Sequence, residues 1–347
     1  MGATGRRIRY LVEEPPEVGV AEEVADGILW FRIPLPMALD HVNAYALHDD
    51  DGWTLVDTGL DTRKTRAIWE QILAGPLGGR PVNRLIVTHH HPDHIGLAGW
   101  FQTEHGAELV TTRTAWLLAR MLSLDVHDTP KPETVAFWRA AGMDADTLAR
   151  RMNERPFNFG DILTPLPLGY RRIKEDDTLP IGGQNWTVRT GNGHAPEHAT
   201  LWNEDRHIVI GGDQFLPSIS PNLGVYATEP DADPVAEWLE SCRRLSAFAD
   251  DDQLVLPGHK LPYRGLSTRL DQLIHNHESA LERLEKFLVE PSTATDCFQT
   301  IFNRPIKDGE YGLALVEAVA HCLHLWHVGR VTRDRRADGA WVFQRAR

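Results

Sequence analysis

Cysteine is scarce. The chain of 347 residues has three, Cys242, Cys297 and Cys322, far apart and with no C-x-x-C spacing. A disulfide framework is therefore not expected, and a reducing, cytoplasmic setting fits. Long apolar runs are missing as well. None approaches the roughly 18 residues that a membrane span needs, so no membrane partner is expected. The first twelve residues hold three arginines but no apolar stretch and no A-x-A site, which does not read as a secretory signal. Positive charge is in deficit, with 36 Lys and Arg against 49 Asp and Glu, net −13. Such a chain is not a general nucleic-acid binder. The deficit is uneven: residues 291–347 carry 8 basic against 6 acidic residues, leaving −15 on the preceding 290. There is no internal repeat and no low-complexity segment.

What is present is a 42% hydrophobic chain with 11 Trp, enough for one large domain and a small one. Residues 1–27 read as an irregular polar arm. Strands are expected at Ile28–Ile33, Val42–His48, Trp53–Val56, Leu85–Val87 and Ala107–Val110, with a helix N-capped by Asp61 and running to Leu73. Residues 112–155 turn helical and read as an insertion, either a cap over the site or a packing element. Strands resume at Asn185–Arg189, Ala199–Asn203, His207–Ile210 and Leu254–Leu256, and helices at Pro234–Phe248 and Leu266–Leu288. The long loop from Gly211 to Glu229 has the length of a functional one.

The stretch that stands out is Thr88-His89-His90-His91-Pro92-Asp93-His94, between a Val/Ile strand and the start of a helix. A strand-to-helix turn lets several side chains converge, and imidazole with carboxylate suits a divalent metal. Three later segments share one plan, in which a strand ends, glycine follows and a ligand-type residue comes next: Gly193-His194, Gly212-Asp213 and Gly258-His259. Glycine there permits a tight turn and a close approach to a cation. Each segment alone is weak; in this order behind the histidine run they reinforce one another.

Together with Asp57-Thr58-Gly59, these motifs resemble the metallo-β-lactamase-fold hydrolase superfamily over about residues 28–260. The resemblance implies an α/β fold, an αββα sandwich of two mixed sheets with metals at one edge. It implies that His89, His91 and His194 bind one metal, that Asp93, His94 and His259 bind a second, and that Asp213 bridges them. Two divalent ions are expected, Zn²⁺ first, with Fe or Mn as alternatives, generating a bridging hydroxide that attacks an electrophilic carbon or phosphorus. Asp93 and Asp57 are the carboxylates assigned to catalysis, Asp57 by orienting a histidine ligand. His90 is not expected to be a ligand, and His198 reads as structural.

Asp213 stands where true β-lactamases of this superfamily usually have cysteine, which argues against antibiotic hydrolysis. What remains resembles glyoxalase II, other thioesterases, lactonases and the hydrolases of the β-lactamase-like protein 2 group. Residues 266–347 form a linking helix and a tail whose helix, helix and hairpin pattern resembles the small winged-helix-like domain of that group. Its arginines lie beside Asp334 and Asp338, and the tail reads as structural rather than RNA-binding. The favoured substrate is a small-molecule thioester, of CoA, glutathione or a carrier, held by Phe215, Tyr226 and Lys260 in an apolar pocket shared with Met121, Phe137, Trp138, Met143 and Leu216; Tyr263 could also reach it. A lactonase, an endoribonuclease or a mononuclear iron persulfide dioxygenase remain the alternatives, and the oligomeric state stays open.

Overall fold

The structure, a computed structural model, describes residues 7–346; the first six residues of the arm and Arg347 lie outside them. The arm is less irregular than its composition suggests, since it supplies β1 (Arg9–Tyr10) and β2 (Glu22–Ala25). Both are short edge strands, specified by the neighbour they pair with and not by any alternation of their own. β2 opens a seven-stranded sheet that continues in spatial order with β3 (Ile28–Pro34), β4 (His41–Asp49), β5 (Gly52–Val56), β6 (Val82–Ile86), β7 (Glu108–Thr112) and β8 (Arg171–Ile173). Its pairings are antiparallel as far as β5 and parallel beyond it. The second sheet runs β9 (Thr178–Ile181), β10 (Gln184–Gly191), β11 (His198–Asn203), β12 (Ile208–Gly212), β13 (Leu254–Pro257) and β14 (Tyr263–Arg264), with β1 on its far edge. Only β12 and β13 run parallel there.

Burial follows from the two-residue period of a strand. Trp30, Val56, Ile86, Leu201, Ile208, Ile210, Leu254 and Leu256 point inward and fill the space between the sheets. Their neighbours Phe31, Leu55 and Leu85 point outward into a second core, capped by α1 (Arg63–Ala74) and, after the single turn α2 (Pro92–Ile95), by α3 (Ala98–Glu104). Trp202, Val209 and Val255 point outward on the other side. Sheets covered on both faces need apolar residues at consecutive positions, which is why these strands read as unbroken hydrophobic runs. Thr62, not Asp61, caps α1, accepting from the Thr65 backbone N–H at 3.0 Å. Asp61 is drawn away by a bidentate pair with Arg66 at 2.7 and 2.9 Å.

The third core joins the helical insertion to the C-terminal part of the chain. The insertion comprises α4 (Arg113–Leu124), α5 (Pro132–Ala140) and α6 (Ala145–Met152). On the outer face of the second sheet lie α7 (Pro234–Leu245) and α8 (Leu266–Phe287), followed by α9 (Phe298–Phe302), α10 (Tyr311–His327) and the hairpin β15 (Val331–Arg335) with β16 (Trp341–Arg345). Phe137, Met143 and Leu148 are buried in one cluster with Leu315, Trp341 and Phe343, and the Phe137 ring stands edge-on to Trp341 with centroids 6.0 Å apart. Phe137 and Met143 therefore serve packing and do not wall a pocket. No helix among the described residues is long and apolar enough to cross a membrane.

Because Phe137 is a core residue and not part of a free lid, Phe137→Ala is expected to cost about 3–5 kcal/mol of unfolding free energy. Urea denaturation followed by circular dichroism measures this; a loss near zero would mean that α5 is not docked.

Candidate metal centre

The ligand-type residues gather where strands end. Asp57 follows β5, His89 lies three residues past β6, His194 three past β10, Asp213 directly past β12 and His259 two past β13. These are carboxyl ends of strands, where an open α/β sheet leaves a crevice. His91 ends the turn, and Pro92 at the first position of α2 starts a helix that sets Asp93 and His94 on its only turn.

Three groups of ligand atoms converge: His89, His91 and His194; His89, His94 and Asp213; and Asp93, His94 and His259. In the first, His91 Nδ1 lies 2.9 Å from His89 Nε2 and 3.1 Å from His194 Nε2. In the last, Asp93 Oδ2 lies 3.7 Å from His94 Nε2 and 3.5 Å from His259 Nε2. Asp213 spans both: one oxygen is 3.4 Å from His194 Nε2, the other 3.4 Å from His94 Nε2 and 3.3 Å from His259 Nε2. His94 Nε2 and Asp213 Oδ1 are buried without any hydrogen-bond partner. Buried polar atoms are seldom left so, and a divalent cation between them would satisfy both.

The second nitrogen of four of the rings explains their aim. His94 Nδ1 donates to Asp57 at 2.7 Å, His259 Nδ1 to the His41 carbonyl at 2.6 Å, and His194 Nδ1 to the Asn222 carbonyl at 2.9 Å. His89 Nδ1 faces the Thr88 hydroxyl at 3.0 Å, and that hydroxyl donates to Asp57 at 2.9 Å. Each contact fixes a tautomer and turns Nε2 toward the centre. Asp57 is the hub, buried, with a left-handed backbone (φ 60°) and also accepting from the Thr88 backbone N–H. His41, Thr88 and Asn222 were not legible as site residues, because a carbonyl or hydroxyl brought in by tertiary folding leaves no mark in the sequence.

Burial and the neighbouring imidazoles lower the pKa of His89 and His91 well below the ordinary value, which keeps them neutral with a free lone pair. Burial works against the charged form of Asp213, yet the imidazoles of His259 and His94 outweigh it and hold the carboxylate well below its usual range. Burial likewise opposes protonation of His94, and Asp213, Asp93 and Asp57 reverse this. Carboxylates that hold a proton on an imidazole can hold a cation in its place, and the donor set fits divalent metal.

The remaining expectations divide. His90 lies outside the three groups and stacks over Phe159 with rings 9° from parallel. His198 accepts from the Asp213 backbone N–H at 3.1 Å and stacks on His89. Phe215 does not face a pocket: it is fully buried, edge-on to Trp202 at 5.7 Å. Leu216 and Tyr263 are buried too, and the Tyr263 hydroxyl donates to the Phe215 carbonyl. Phe215 and Tyr263 belong to the apolar core beneath the second sheet. Tyr226 and Met121 are exposed. Lys260 is half-buried and lines a cavity of about 260 Å³ with Tyr10, Pro15, Arg32, His41, Ser218 and Leu261.

Two covered mixed sheets with a histidine–aspartate cluster at one edge define the class, an αββα sandwich with a candidate metal centre of the kind that metal-dependent hydrolases use. The chain belongs to the metallo-beta-lactamase superfamily, whose family model matches residues 37–259, and a metallo-beta-lactamase-like C-terminal domain matches 281–346. The chain resembles the crystal structure of a beta-lactamase domain protein from Burkholderia ambifaria, with TM-score 0.89, 35% identity and 98% of each chain covered. A Bacillus subtilis protein described as "Probable metallo-hydrolase YqjP" is 26% identical, covering 85% of this chain and 91% of its own. The acyl-coenzyme A thioesterase MBLAC2 of Gallus gallus is 24% identical, covering 68% of this chain and 78% of its own.

Purified protein is expected to carry two divalent metals per chain by elemental analysis, and Asp213→Ala to lose at least one; a single iron would overturn the two-metal arrangement. Gly258→Ala probes the fit separately. A Cβ there would stand 2.3 Å from Asp213 Oδ1 and 2.9 Å from His94 Cε1. The variant is expected to keep its circular dichroism spectrum and lose metal, and full metal content would show the crowding to be relieved elsewhere.

Proposed function

We propose that this chain is a dinuclear metal-dependent hydrolase of a thioester with an apolar acyl group, the thiol being CoA, glutathione or a carrier. The observation that carries the reading is the pair of ligand groups joined through Asp213. Two divalent cations, zinc first for so nitrogen-rich a set, would supply a water acidic enough to ionise near neutral pH and a Lewis acid for the carbonyl oxygen. His89, His91 and His194 would hold one, Asp93, His94 and His259 the other, and Asp213 both. Asp57 keeps His94 in the tautomer whose Nε2 faces inward. No cysteine offers a competing nucleophile: all three are buried, and burial pushes the Cys242 thiol up to about 12. A thioester suits a site whose polar groups are nearly all ligands, because its thiolate leaves without general-acid help.

Several features favour this substrate. A relative in Gallus gallus and another in Homo sapiens bear the name acyl-coenzyme A thioesterase. On α4, Leu117, Met121 and Leu124 share one face and are exposed, with exposed Phe157 nearby in sequence to the ring that leads to the site. Phe157 meets Phe159 edge-on at 5.7 Å, and Phe159 stacks on His90. We place the acyl chain along this face. Lys260, with a left-handed backbone (φ 70°) held by Asn43 and His41, would meet the anionic end of the thiol partner, and exposed Tyr226 could flank it. An RNA substrate is disfavoured by the acidic catalytic part. Four of the tail arginines are also engaged, Arg330 and Arg345 with Glu285, Arg333 with Asp231 and Arg336 with Asp338.

The test is a panel of acyl-CoA, hydroxyacyl-glutathione, lactone and single-stranded RNA substrates, with His89→Ala as blank. Acyl-CoA or acyl-glutathione turnover is expected; metal-dependent RNA cleavage with no thioester or lactone turnover would overturn the proposal. Leu117→Asp with Met121→Asp is expected to raise KM for long-chain substrates at least about tenfold, equivalent to ~1.4 kcal/mol. Short-chain turnover should stay unchanged, and equal loss on both would remove α4 from the acyl site.

A further inference from the structure

His194 owes its orientation to the Asn222 carbonyl, 2.9 Å from Nδ1. That carbonyl sits on a stretch, residues 216–229, with no helix or strand of its own. An unsupported loop would be a poor anchor for a ring that must be placed to a fraction of an ångström. The support comes from α10. Asn222 Nδ2 donates to Glu317 Oε2 at 2.8 Å and to the Leu313 carbonyl at 3.1 Å. Three residues on, the Val225 backbone N–H donates to the Val316 carbonyl at 3.1 Å. Leu223 and Val225 are buried in the same apolar core as Leu315 and Val319. Burial pushes the Glu317 carboxyl up to about 7, against the Asn222 hydrogen bond, which favours the charged form. An acid kept in so unfavourable a place, bonded to the one side chain that leads to His194, points to a task beyond solubility.

We propose that Glu317 is a positioning residue for the metal centre: it fixes the Asn222 side chain, so that the Asn222 carbonyl holds His194 with Nε2 turned toward His89 and His91. The C-terminal part of the chain thereby completes the three-histidine group that the two sheets begin. This rests on the reading of His194 as a metal ligand.

Zinc affinity, measured on the full-length protein by competition with a chromophoric chelator, tests it without any substrate. The variants are His194→Ala, Glu317→Ala, Glu317→Gln, Asn222→Ala and the double Glu317→Ala/Asn222→Ala. His194→Ala is expected to lose one zinc. Glu317→Ala and Asn222→Ala are expected to weaken the corresponding site about 10- to 100-fold, the usual effect of losing a ligand's supporting partner. The double variant is expected to be no weaker than either single one, because both break one chain of contacts. Glu317→Gln, whose amide oxygen still accepts, is expected to stay near wild type. Cobalt substitution gives a second readout, since the visible spectrum of the three-histidine site should shift in both alanine variants. Wild-type affinity and spectrum in both alanine variants, with zinc lost in His194→Ala, would overturn the inference while leaving the site intact. A glutamine variant as weak as alanine would overturn it too. Full zinc content in His194→Ala would overturn the ligand reading and the inference with it. Asn222→Ala, on a surface loop, serves if Glu317→Ala fails to fold.

Discussion

Two main-chain hydrogen bonds tie the sheets together at the edge that bears the ligands. The Ala199 N–H donates to the Thr88 carbonyl at 2.8 Å, and the Asn43 N–H to the Gly258 carbonyl at 2.7 Å. Each joins a residue of one sheet's chain to a residue beside a ligand on the other. Asn43 reinforces the second bond through its side chain, which donates to the carbonyls of Pro257 and Lys260, and the Tyr45 hydroxyl donates to the Pro257 carbonyl as well. The relative placement of His89 on one sheet and His194, Asp213 and His259 on the other depends on these contacts and on the apolar layer behind them. The apolar layer provides most of the stabilisation, but it is non-directional; the hydrogen bonds set the register at which the sheets meet.

The centre itself is costly. Seven ionisable side chains of ligand type are drawn together at the end of a buried layer, with two of their atoms lacking partners. Buried carboxylates and imidazoles lose hydration that only close, opposite charge restores. Asp213 and the rings of His94 and His259 do this for one another, and a cation would do so more completely. The outer contacts stop the cluster from collapsing into ordinary ion pairs. With Nδ1 of His94, His194 and His259 already engaged, those rings cannot turn to bury their Nε2 atoms elsewhere.

The C-terminal part of the chain is integral to this arrangement. One apolar core takes residues from the insertion, from α7 and α8, from the loop before α7 and from the terminal helices and hairpin. The insertion, which could have been a cap, uses α5 and α6 to dock on that core, while α4 leaves an apolar face in solvent. The division of labour within one inserted segment follows from which faces found partners.

The ligand-type residues that the structure brings together and the strands that carry them were legible in the sequence, because both depend on local rules. Buried strands show as apolar runs, and a tight turn before a ligand shows as glycine, so His89, Asp93, His194, Asp213 and His259 stand out by type and position. The edge strands β1 and β2 did not, since a two- or four-residue strand is defined by its partner's hydrogen-bonding edge. Nor did the fate of Phe215 and Tyr263, which read as pocket residues and are core, because hydrophobic side chains near a site look alike whichever way the backbone turns them. The Asn222 and His41 carbonyls had no sequence signal at all, every residue having one. Sequence determined which groups could bind metal and the order in which strands deliver them. Tertiary structure alone decided which nitrogen of each ring faces the centre, because that choice is made by backbone atoms and side chains brought from as far as 218 residues away.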